Sequence, residues 1–289
     1  MISILGVLIV IVMVFGGYLI AGGKLAIILH AAPFEIMIIG GAAIGAFLIG
    51  NAPTTVKHTL GDIGRVFKGP HWKPEDYRDL LCLLFALIRL ARQNPVAVEE
   101  HVENPSESAI FARYPKILSD EEAITLIGDT LRSASMNYDD PHQVEEVMEK
   151  RMEAHQHQAL HSSHALQSMA DGLPALGIVA AVLGVIKTMA SIDQPPEVLG
   201  EMIGGALVGT FLGVFLAYGF VGPIAIRLQD VVKEDAHFYS LIREVLVADL
   251  HNHPANICIE VGRQNTPGHN RPSFTDLEEA LRAIKQEAA

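Results

Sequence analysis

The chain has 289 residues, half of them hydrophobic, a mean hydropathy of +0.31 and a formal net charge of −12. Such an apolar average is unusual for a soluble domain of this length and points to a membrane protein. The acidic balance argues against nucleic acid as a partner, because phosphates would be repelled. The two cysteines, Cys82 and Cys258, lie far apart with no CxxC pair, which argues against a disulfide framework or a zinc knuckle.

Four windows are long and apolar enough to cross a bilayer as helices: Ile2 to Ile20, Phe34 to Gly50, Asp171 to Met189 and Met202 to Ile226. The first has no basic leader and no small-residue cleavage site before Gly22, so it reads as a span and not as a signal peptide. In the second, the only charge is Glu35, at its start. Basic residues settle the expected orientation. The connection between the first two spans holds only Lys24, and ASIDQPPEVLGE, between the last two, holds none. The segment 51–170 is rich in Lys and Arg, and Arg227 and Lys233 follow the fourth span. The positive-inside rule places this insert, the tail and both termini in the cytoplasm.

The insert carries helical patterns. DYRDLLCLLFALIRLARQ, Asp76 to Gln93, has a broad apolar face but too much charge for a fifth span. SDEEAITLIGDTLRSAS opens at Ser119 with capping-box spacing to Glu122. From His142 no breaker appears before Gly172, which predicts one long helix running into the third span. The tail adds FYSLIREVLVADL, then a Pro/Asn/Gly-containing stretch, then the short helix SFTDLEEALRAIKQ. The expected fold is an all-α integral membrane protein with four transmembrane helices and a large helical cytoplasmic insert. Its segments are 1–50 and 171–226 in the membrane, and 51–170 and 227–289 outside it.

Small residues recur at helical spacing: Gly41 and Gly45, then Gly205, Gly209 and Gly213. Such spacing lets helix backbones approach closely in lipid, within one subunit or between subunits. The middles of the third and fourth spans hold no Asp or Glu. Their polar groups are Thr210, Tyr218, Thr188 and Lys187, the last able to snorkel outward. If ions cross here, the protonatable group must come from another chain. Pro174 and Pro223 fall near the same membrane face, and each removes a backbone donor, as an end kink or as a hinge.

No G-x-x-x-x-G-K-[ST] loop is present, so nucleotide hydrolysis is not the expected energy source. His157, His161 and His164 share a helical face at a spacing compatible with a metal, but unligated histidines on a polar, partly exposed helix are far more common, and no metal or cofactor is expected. No nucleophile with its base can be picked out, so the chain does not read as an enzyme.

Five segments carry a resemblance: VFGGYLIAGG at Val14 to Gly23, ENPSESAIFARYPKIL at Glu103 to Leu118, LPALGIVAAVLGVIKTMASID from Leu173, ALVGTFLGVFLAYGFVGP from Ala206 and RPSFTDLEEALRAIK from Arg271. In this order they resemble the MotA family of flagellar motor stator subunits over nearly the whole chain. The resemblance implies a bacterial inner-membrane homo-oligomer, expected to be a pentamer, around two MotB helices. It further implies that MotB supplies the proton-carrying aspartate, and that the cytoplasmic insert turns the rotor protein FliG. It gives Pro174 and Pro223 the role of conformational couplers, Asp171 that of an acid at the inner mouth, and Thr210 a place on the ion path. Alanine at position 181, where sodium-driven relatives carry threonine, makes the proton the expected ion. Arg92 and Glu100 match the family's rotor-contacting charges, although Pro95 between them alters the helix leading to Glu100. The rival readings are an ExbB or TolQ type of transport energiser, which usually has three spans, and a membrane scaffold without ion flux.

Overall fold

The computed structural model describes residues 2–135 and 140–287, and no strand occurs among them. The chain forms two compact units, one of residues 1–69 with 159–231, the other of residues 70–158 with 232–289. In chain order the helices are α1 (Ile2–Ile20), α2 (Leu25–Gly50), α3 (Pro53–Lys68), α4 (Pro74–Gln93), α5 (Pro95–Glu103), α6 (Pro115–Leu118), α7 (Glu121–Ser135), α8 (Pro141–Met189), α9 (Pro196–Leu216), α10 (Gly222–Leu250), α11 (Ala255–Asn265) and α12 (Phe274–Glu287). As the missing breaker predicts, α8 is a single helix of 49 residues.

Among the described residues, four helical stretches are long and apolar enough to span a membrane: Ile2–Ile20, Leu25–Gly50, α8, and α9 continued through α10. The chain is a multi-pass membrane protein. Helix α1 buries no residue within the chain, and Ile2, Leu5, Leu8, Val12 and Met13 all point outward. Lipid solvates such a surface at no cost, whereas the helix satisfies its own backbone.

Helices α8 and α9 approach at small residues. A Cβ built on Gly177 would meet the Gly209 carbonyl at 2.9 Å, and one on Gly213 would meet the Leu173 carbonyl at 2.7 Å and Gly177 Cα at 2.8 Å. Gly209 and Gly213 therefore serve packing inside one chain, whereas Cβ atoms on Gly41 and Gly45 would meet nothing within 4 Å.

Helix α2 begins at Leu25, nine residues before the sequence pattern suggests, and carries Pro33 inside it. Proline costs the helix one donor, but its fixed φ is helical, so in lipid the helix runs on through it. Glu35 is consequently the eleventh of 26 residues and not a residue at the mouth of the span.

Before Pro223 the helix widens into a π segment, Ala217–Val221, where the Gly222 N–H reaches back to the Ala217 carbonyl. Proline cannot donate to the carbonyl four residues back, and its ring crowds that carbonyl; the wider turn relieves both.

In the second unit α4 is the central helix. Tyr77, Leu80, Leu81, Leu83, Leu84, Phe85, Leu87 and Ile88 are all at most 1% exposed, which explains an apolar face too broad for a surface helix. Trp72 stacks on Phe238 of α10 at 3.7 Å with 5° between ring planes, and Tyr77 meets Phe238 edge-on at 5.5 Å. Buried Asp235 accepts the backbone N–H of His71 at 2.7 Å, fixing the turn that presents Trp72.

Three local expectations are corrected. Helix α7 is capped by Asp120, whose Oδ1 accepts the Ala123 N–H at 2.8 Å, because Ser119 is spent closing α6 through Lys116. FYSLIREVLVADL is not a separate tail helix but the second half of α10. The Pro/Asn/Gly-containing stretch holds a full helix, α11, whose Cys258 and Ile259 are buried in the core of this unit.

Candidate functional site

Of the membrane-unit residues singled out by the sequence, Asp171, Pro174 and Ala181 lie on α8, Thr210 on α9, Tyr218 in the π segment and Pro223 on α10. Ala181 and Thr210 fall at one level. The Ala181 N lies 3.1 Å from where a Cβ on Gly209 would sit, and Thr210 is the next residue. Both are half-buried. Pro174 follows Leu173, whose carbonyl makes the close approach to Gly213, so the proline sits beside this helix–helix contact. Its missing N–H leaves the Ala170 carbonyl without the usual helical partner at that point. Asp171 is exposed and accepts a hydrogen bond from Gln167 Nε2 at 2.8 Å. Tyr218 is 73% exposed and Pro223 is exposed, so neither joins the Ala181–Thr210 level within one chain.

Sequence reasoning passed over Glu35. It is 8% exposed, its Oε2 has no hydrogen-bond partner among the described residues, and that oxygen lies 2.6 Å from the Cβ position of Gly209. Recognising Pro33 as internal to α2 would have moved this carboxylate from the edge of the span to its middle.

In the second unit Arg92 ends α4 and Glu100 lies on α5. The helix breaks between them. Asn94 closes α4 through its N–H to Leu90 and opens α5 by accepting the Ala97 N–H at 3.3 Å. Glu100 is exposed and makes no side-chain bond among the described residues. Arg92 is exposed but paired. Its Nε donates to Asp249 Oδ1 at 3.0 Å, and its Nη2 donates to the same carboxylate and to the His253 carbonyl. Burial pushes the Asp249 carboxyl above its usual range, with the Arg92 guanidinium opposing that rise.

The histidine reading also changes place. Among the described residues, the one set of three possible metal ligands whose donor atoms lie within 4.8 Å of one another is His142, Glu145 and His251, not the His157, His161 and His164 face. His142 and His251 are exposed.

With this geometry established, comparison with known proteins is informative. The profile described as Motility protein A N-terminal matches residues 4–95, and that of the MotA/TolQ/ExbB proton channel family matches residues 121–240. The chain belongs to this family. It is 40% identical to Motility protein A of Salmonella typhimurium, covering 99% of this chain and 96% of that one. It is 38% identical to the chemotaxis protein LafT of Vibrio parahaemolyticus, covering 96% and 97%. Among solved structures, the fold matches the MotAB structure of C. jejuni with a TM-score of 0.72 at 18% identity, covering 94% of this chain and 98% of that one. It matches the flagellar MotAB stator complex of Bacillus subtilis with a TM-score of 0.68 at 21% identity, covering 96% and 98%.

Proposed function

We propose that this chain is a stator subunit of the bacterial flagellar motor. It forms an ion channel with MotB, and ion flow turns its oligomer and drives the rotor. One observation carries the reading. The close contact between α8 and α9 brings Ala181 level with Thr210, while residues 172–186 and 202–216 contain no charged side chain. These two helices, whose own side chains bring one hydroxyl and no carboxylate to the contact, suit a partner helix that brings its own proton carrier. The match over residues 4–95 to the Motility protein A N-terminal profile favours a motor over a transport energiser.

Protons are the proposed ion, since alanine at position 181 offers no side-chain hydroxyl to a dehydrated cation. No cofactor is needed beyond the ion. The proposed assembly is a pentamer around two MotB helices in the inner membrane, with both termini and the residue 70–158 region in the cytoplasm facing FliG. Glu100, exposed and with no side-chain partner among the described residues, is available for a rotor charge as it stands. Arg92 would reach the rotor only by sharing or leaving Asp249. The test is co-expression with MotB, purification of the complex and reconstitution in vesicles. Proton uptake on imposing a membrane potential, absent when MotB lacks its aspartate, supports the reading. Failure to co-purify and no flux would reject it.

A further inference from the structure

A carboxylate in the middle of an apolar helix is costly unless it is paired, solvated or protonated. The Glu35 Oε2 is buried and has no hydrogen-bond partner among the described residues. Its neighbours at this point are supplied by two other helices, α8 and α9. Gly209 of α9 leaves the space its Oε2 occupies, and Ala180 Cβ and Ala181 N of α8 meet at the same point, each 3.1 Å from the Gly209 Cβ position. The facing stretches, residues 172–186 of α8 and 202–216 of α9, contain no Asp, Glu, Lys, Arg or His, and neither does α1. On its own helix the only other titratable side chain is His30, five residues earlier and exposed. The nearest hydroxyl-bearing residue in sequence to this meeting point is Thr210. A long side chain, an absent Cβ and two alanines therefore converge on the layer assigned to the ion path, and the chain places a proton-binding group there.

We propose that Glu35 is a second membrane-embedded proton site of the stator, exchanging its proton with the path that passes Ala181 and Thr210. The inference rests on the proton-conducting reading given above. The step is a transfer between oxygens: an O–H bond forms on the Glu35 carboxylate as one breaks on the donor in the path, and release reverses it. No oxidant or further reactant takes part. Gly209 is a positioning residue in this scheme, because a methyl there would occupy the place of the carboxylate oxygen.

The experiment uses the complex with MotB in lipid nanodiscs, as wild type, Glu35→Gln and Glu35→Asp. Infrared difference spectra across the pH range in which the complex stays assembled are expected to contain a protonated-carboxyl C=O band that titrates reversibly and is lost in Glu35→Gln. In cells, rotation speed measured against cytoplasmic pH is expected to shift its half-maximal pH in Glu35→Gln and to keep the wild-type profile in Glu35→Asp, at equal membrane levels. Superimposable spectra, or superimposable speed profiles for wild type and Glu35→Gln, would overturn the proposal while leaving the stator reading intact. Absence of rotation and of proton uptake in the wild type itself would remove both.

Discussion

Replacing Gly213 by Ala is expected to weaken the α8–α9 contact, and replacing Gly205 by Ala is not. The two glycines lie on the same helix, two turns apart, and both substitutions bring the same gain in helix propensity, up to about 1 kcal/mol. Their surroundings differ. The new methyl at position 213 would meet three backbone atoms, the Leu173 carbonyl at 2.7 Å, Gly177 Cα at 2.8 Å and Gly177 N at 3.1 Å, none of which a rotamer change can move. At position 205 the nearest atom is Ala31 Cβ at 3.7 Å, an ordinary contact. Overpacking costs about 1–3 kcal/mol. With propensity cancelling, the two variants should differ by that amount, roughly a 5- to 150-fold change in the folded-to-unfolded ratio. Unfolding of the purified protein in mixed detergent micelles, followed by circular dichroism against denaturing detergent, measures the difference. Coincident curves, or a less stable Gly205→Ala, would refute the packing argument.

Four further outcomes follow from the second unit. Arg92→Ala should cost about 1–2 kcal/mol by stranding Asp249, whose side chain is only 18% exposed. Adding Asp249→Asn should recover that stability without recovering torque; a double variant that stays destabilised would contradict the pairing account. The Asp249 carboxyl is raised by burial, so the folded state holds its proton more tightly than the unfolded chain does. That stabilising contribution is present below the ordinary carboxylate value and is lost as pH rises through the raised one, a dependence that Asp249→Asn should flatten in acid titrations. Burial likewise lifts the Cys82 thiol from 9.0 to about 11. Its contribution holds below about pH 9 and disappears on passing 11, so Cys82→Ala should narrow the alkaline loss of stability, and a maleimide at neutral pH should label this thiol only after unfolding. Rapid labelling of the folded protein at Cys82 would contradict its burial. Trp72→Ala removes the stack on Phe238 and the Lys116 ammonium contact 5.2 Å from the indole ring, and should cost about 3–5 kcal/mol in denaturant unfolding, with Trp72→Phe recovering most of it. A loss below about 1 kcal/mol would show that the stack is not central to the core.

The helical architecture was legible because lipid imposes simple rules. Long apolar runs gave all four spans, and the missing breaker after His142 gave α8 as one helix. Errors arose where a local signal was outweighed by its surroundings. The second span was expected to open at Phe34, whereas α2 runs back through Pro33 to Leu25, and that one shift hid Glu35. Ser119 has a cap's chemistry but was already committed to the turn before it. The Arg92–Asp249 pair joins residues 157 apart in sequence, and no periodicity connects them. The contact of Gly177 with Gly213 is of the same kind: the small-residue pattern announced a close approach, but not which helix would receive it. The break at Asn94, by contrast, was visible in Pro95, the residue that opens α5.

The most direct test of the stator assignment is rotation of single tethered cells whose own copy of this gene is deleted. Supplying the wild-type chain should restore turning of flagella that are assembled but still. Pro174→Leu, present in the membrane at the same level, should not, because it alters the helix beside the close approach of Leu173 to Gly213. Normal rotation in the deletion strain, with a defect in energised uptake or envelope integrity instead, would contradict the assignment.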